Sequence, residues 1–66
     1  MQIGSNAKSK LLTPDELAAY LKVSKITVYR MVEKREIPFY KLKGSLRFAE
    51  DDVLKYLEEN CIRPID

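Results

Sequence analysis

The sequence has no histidine and a single cysteine, Cys61. Without histidine, the commonest general base and the commonest metal ligand are both missing. A lone cysteine permits neither an internal disulfide nor a zinc quartet of the C-x-x-C kind. Catalysis would have to come from carboxylates, lysines or hydroxyls on a scaffold of 66 residues. No nucleophile–base pair stands out among them, so an enzyme is not expected, nor is a cofactor or a small-molecule ligand. Apolar runs approaching the ~18–20 residues that span a bilayer are also lacking. The opening MQIGSNAKSK has no apolar stretch of the secretory type. A cytoplasmic protein without a membrane partner is expected.

What is present fits one small folded domain. A hydrophobic share of 45% and a charged share of 33% are those of a packed chain rather than a disordered tail. A chain of this length buries only roughly 60% of its unfolded surface, so the core must be thin. The net charge of +2 conceals a strong partition. Over residues 1–21, Lys8 and Lys10 balance Asp15 and Glu16. Over residues 22–47, Lys22, Lys25, Arg30, Lys34, Arg35, Lys41, Lys43 and Arg47 face only Glu33 and Glu36, a local charge of +6. Over residues 48–66, Lys55 and Arg63 face Glu50, Asp51, Asp52, Glu58, Glu59 and Asp66, a local charge of −4. A basic middle and an acidic end on so small a body make a two-faced field, and its basic side suits a polyanion such as nucleic acid.

Residues 1–10 are polar, carry Gly4 and Ser5, and read as a flexible lead; Lys8 and Lys10 keep open a basic arm that reaches a groove. Thr13-Pro14-Asp15-Glu16 is a helix start, with threonine as cap, proline in the first turn and glutamate three residues after the cap. Leu17, Ala18 and Leu21 then share a face, and this helix ends near Leu21 or Lys22. Ser24 can cap a second helix. With Lys25 at 0° and about 100° per residue, Val28, Met31, Val32 and Arg35 cluster on one side while Ile26, Tyr29, Arg30, Glu33 and Lys34 lie opposite. Ile37-Pro38 stops that helix. PFYKLKGSLRF gives two short β-prone runs around Lys43-Gly44-Ser45, a hairpin in which Leu42, Leu46 and Phe48 are expected to cover the core while Lys41, Lys43 and Arg47 stay wet. Glu50-Asp51-Asp52 opens a third helix, where acidic side chains suit the positive end of the dipole better than a metal site would. Its buried stripe is expected to be Val53, Leu54, Tyr56 and Leu57, its exit Glu58-Glu59-Asn60. The expected organisation is a lead over 1–10, a domain over 11–60 and a tail, CIRPID, over 61–66.

Two short helices joined by a polar turn at Lys22–Ser24 form a helix-turn-helix, whose second helix has the width to enter a DNA major groove. Leu17, Ala18, Leu21, Val23, Val28 and Met31 are apolar or small where steeply crossing helices must touch, and Ala18 leaves space for close approach. An ordinary αα-hairpin needs the same positions. The outer face with Lys25, Tyr29, Arg30 and Lys34 separates the two.

On these residues the span from Leu11 to about Leu57 resembles the excisionase-type, MerR-like winged helix-turn-helix domains. The matching pieces are LLTPDELAAYLKVSKITVYRMV, the Pro38 exit, the KLKGSLRF hairpin and the closing DDVLKYL helix. The resemblance implies a mainly α fold with a small β-hairpin: a helix-turn-helix, a two-stranded wing and a closing helix. It further implies that the second helix enters the major groove and that the wing meets the backbone or the adjacent minor groove. Double-stranded DNA is the implied partner, in a bacterial, phage or mobile-element setting at the nucleoid. The role is that of a recombination directionality factor, with an integrase or recombinase partner, or of a transcriptional regulator. Self-association on repeated sites is open to either. Many such relatives have glycine where this chain has Lys22, which would have to turn left-handed, and a basic residue where this chain has Ile26.

The expected DNA surface comprises Ser24, Lys25, Ile26, Thr27, Tyr29, Arg30 and Lys34 on the second helix, with Lys41, Lys43, Ser45 and Arg47 on the wing. Arg30 is the best base reader, through a bidentate pair with guanine, and its alternative is an i,i+3 pair with Glu33. Tyr29 can stack on sugar or donate to a phosphate, or serve as partly buried support. Lys25 and Thr27 lie in a first turn that suits a phosphate, while Thr27 can equally be a capping hydroxyl. Lys34 reaches flanking backbone or stays solvated. Arg47 grips as part of the wing or pairs with the acidic third helix. Ile26 can touch a thymine methyl, pack under the hairpin or meet another protein. With Phe39 and the CIRPID tail it forms the basis of the competing reading, a protein-interaction module.

Overall fold

The computed structural model describes residues 10–62 and residue 64. The expected lead, apart from Lys10, therefore lies outside the described residues, as do three positions of the tail. Six elements follow in order: β1 (Leu11–Leu12), α1 (Pro14–Leu21), α2 (Lys25–Glu33), β2 (Tyr40–Leu42), β3 (Ser45–Ala49) and α3 (Glu50–Glu59). The winged helix-turn-helix architecture is as the resemblance implied, with one addition. The sheet has three strands in the order β1-β3-β2, all antiparallel.

Helix α1 starts where the capping pattern places it. The Thr13 amide donates to Glu16 Oε1 at 2.9 Å, and the Glu16 amide donates to Thr13 Oγ1 at 3.1 Å. Ser24 caps α2 in turn, its hydroxyl accepting from the Thr27 amide at 3.1 Å. Both helices end with the same device. Lys22 (φ 59°) and Arg35 (φ 54°) are left-handed, and the amide after each reaches back five residues, Val23 to Ala18 O at 3.0 Å and Glu36 to Met31 O at 2.9 Å. This closure normally employs glycine, because a Cβ in that conformation costs roughly 1–2 kcal/mol. Lys22→Gly should therefore raise the melting temperature by several degrees, since about 1 kcal/mol shifts a domain of 60–100 residues by roughly 4–8 °C. Thermal denaturation followed by circular dichroism checks it.

The core is a single cluster of Leu12, Leu17, Ala18, Val28, Met31, Ile37, Phe48 and Val53. Leu17, Val28, Phe48 and Val53 are fully buried, and each such side chain contributes about 1.5–3 kcal/mol of transfer free energy. Leu21, Val32, Phe39, Leu46 and Tyr56 pack around it. Ile37, read from sequence only as part of a helix stop, is a core residue at 2% exposure. Val23, expected in the helix–helix contact, is 38% exposed.

On the wing and on α3 the expected burial is corrected. Leu42 does not cover the core and is 50% exposed. The two-residue turn at Lys43–Gly44 has positive φ at both positions, and it sets Leu42 opposite Ser45 and Lys41 opposite Leu46. Directly paired residues share a sheet face, so Lys41 goes with the core-facing Leu46 and Leu42 goes to the other side. Leu54 and Leu57 are 47% and 41% exposed, because the core takes only Val53 and part of Tyr56 from α3. Arg35, placed by helical spacing on the side of Val28 and Val32, lies beyond the end of α2 at Glu33 and is exposed.

Candidate nucleic-acid interface

Helix α2 is seated by Val28 and Met31, and its opposite face is open. Ile26 is 64% exposed and Tyr29 41%; Lys25, Arg30 and Lys34 are exposed as well. Ile26 is thus not tucked under the hairpin. Arg30 makes no ion pair with Glu33 among the described residues, leaving all five guanidinium donors outward and available. Thr27 is half-buried and its hydroxyl lies 3.0 Å from that of Ser24, so the pair act together in the cap while the first-turn amides still point along the helix axis.

Lys25 has a partner that sequence reasoning did not find. Its Nζ sits 3.1 Å from Asp15 Oδ1 on α1 and 5.9 Å from the centre of the Tyr29 ring. The hydrogen bond to Asp15, then the charge of Asp15, hold the ammonium pKa above the ordinary lysine value. The pairing spans the two helices, so no i,i+3 or i,i+4 rule within one helix reveals it. Only the packing of α1 against α2 brings Asp15 and Lys25 together.

On the wing, Lys41, Lys43 and Ser45 are exposed. Arg47 is half-buried, and its Nη1 donates to the Leu46 carbonyl at 2.7 Å rather than to a carboxylate of α3. The acidic residues Glu50, Asp51 and Asp52 occupy the first turn of α3, as the dipole favours. Among the described residues no group of histidine, cysteine, aspartate and glutamate is arranged to hold a metal ion. Nor is any helix there long and apolar enough to cross a membrane. Cys61 is exposed and unpaired by disulfide.

A family model described as "Helix-turn-helix domain" matches residues 11–61. Two relatives from Mycobacterium tuberculosis, strains CDC 1551 and H37Rv, each bear the name "Putative DNA-binding protein". They are 44% identical over 55 residues, covering 83% of this chain and 70% of theirs. The uncharacterized protein YvgK of Bacillus subtilis is 41% identical over 44 residues, covering 67% of this chain but only 14% of its own length. No solved structure matches. With the matched span taking in every helix and strand described above, the chain belongs to the helix-turn-helix domain family, in its excisionase-like branch.

Proposed function

We propose that this protein binds double-stranded DNA sequence-specifically, with α2 in the major groove and the β2–β3 wing against the neighbouring backbone or minor groove. One observation carries the reading: α2 buries Val28 and Met31 and turns Tyr29, Arg30 and Lys34 outward on its free side. Ser24, Lys25 and Thr27 at the start of α2, Lys34 at its end, and Lys41, Lys43, Ser45 and Arg47 on the wing position the domain on phosphates. Arg30 reads bases, and Ile26 offers an apolar contact for a thymine methyl. The names of the mycobacterial relatives support the same partner. In chemistry and shape the domain is MerR-like, acting at the nucleoid.

A single module of this kind buries about 600–1,000 Å² on DNA, so useful specificity calls for more than one contact. Self-association on repeated sites, or an integrase or recombinase bound alongside, supplies it. The output is then excision of a mobile element or control of a promoter. An adjacent integrase gene identifies the first role, a divergent promoter the second.

The experiment is a salt titration of binding to duplex DNA. Five phosphate contacts give a log–log slope of about −4 to −5, at roughly −0.9 for each. The second reading, a protein-interaction module, rests on the exposure of Ile26; a slope near zero selects it.

A further inference from the structure

We infer that the concavity between the end of α2 and the free edge of the wing is the path of one sugar–phosphate strand, with Arg35 as a phosphate-binding residue. This rests on the DNA-binding reading above and adds a site to it. A helix in the major groove and a wing in the next minor groove are separated by one strand of the duplex, which must pass through whatever space lies between them. The connection from α2 to β2, which spans that gap, leaves a shallow concavity lined by Arg35, Ile37, Pro38, Phe39 and Lys41. Its floor is apolar, with Ile37 buried and Phe39 half-buried. Arg35 and Lys41, both exposed, are the two cations that line it.

The strand register places Lys41. Because Lys41 pairs with Leu46, it stands on the helix-facing side of β2, while Tyr40 and Leu42 stand on the other. Arg35 supplies the other cation from a left-handed residue, φ 54°, where glycine would be less strained. A guanidinium and an ammonium lining one concavity can grip successive phosphate oxygens, with deoxyribose on the Phe39–Pro38 floor. The backbone conformation of Arg35 thus works against stability and in favour of charge at this point.

That opposition makes the test. Arg35→Gly relieves the left-handed strain and removes the charge, so its melting temperature should equal or exceed the parent's. Its affinity should nevertheless fall about 5–10-fold at ~0.1 M salt on every duplex, and its salt slope should become shallower by about 0.9. Arg35→Lys should recover most of both. Arg35→Gly binding with the parent's affinity, or losing affinity without a change in slope, overturns the assignment while the parent's steep slope upholds DNA binding. A flat slope for the parent itself sinks the DNA-binding reading and this site with it.

Discussion

Phe48→Ala should leave the chain without a cooperative thermal transition at room temperature and above. Phe48 is fully buried on the central strand of the sheet, paired with Leu12 of β1 and clustered with Leu17 of α1, Val28 of α2 and Val53 of α3. Truncating a buried phenylalanine costs about 3–5 kcal/mol. A core of this size supplies about the same net stability, roughly 3–5 kcal/mol. The loss is therefore comparable with the whole margin, and far-ultraviolet circular dichroism should show helical signal that fades gradually instead of melting. Leu54→Ala is the matched control: its side chain is half-exposed, and the variant should melt within a few degrees of the parent. A sharp transition in Phe48→Ala would place the stabilising contacts elsewhere.

The second large effect concerns recognition. Arg30→Ala should abolish most of the preference for a selected target over random duplex. A bidentate arginine–guanine pair gives about 1–3 kcal/mol of discrimination, which is roughly 5–150-fold in relative affinity. Arg30 is exposed, lies on the free face of α2 and is not tied up by Glu33, so nothing must be broken before it reaches a base. Lys41→Ala and Lys43→Ala should instead weaken all duplexes alike, since phosphates carry no sequence. Competition binding against a target enriched from random DNA distinguishes the two patterns. Equal losses on every duplex for Arg30→Ala would remove it from base reading.

Both predictions draw on features that were legible in the amino-acid order to different degrees. The helix-turn-helix was readable because its signals are local: the Thr13–Glu16 capping box, the Ser24 cap and the spacing of Val28 and Met31 each lie within one turn. The three-stranded sheet was not, since Leu11–Leu12 is too short to show alternation. It becomes a strand only because β3 offers a free edge, with the Glu50 amide donating to the Lys10 carbonyl beyond it at 2.8 Å. Leu42 takes the face opposite to Leu46 because the two-residue turn inverts the parity that strict alternation would carry across it. Leu54 and Leu57 follow the α3 pattern faithfully, yet a domain this small has too little interior to cover them. The surface of α2 was foreseen as exposed. The tie between Asp15 and Lys25, and the concavity beside Arg35, depend on how elements cross, and pattern alone does not encode that.

One mechanical consequence follows from the position of β1. It meets β3 only at Phe48 and Ala49, so the ribbon from Ser45 to Arg47 is held on one edge alone, by β2. At about 3.4 Å per residue this overhang is roughly 10 Å long, more than the ~6 Å width of a minor groove. It is a cantilever anchored at its root by β1 and along one face by Leu46, which leaves the tip at Lys43–Gly44 as the part with the fewest restraints.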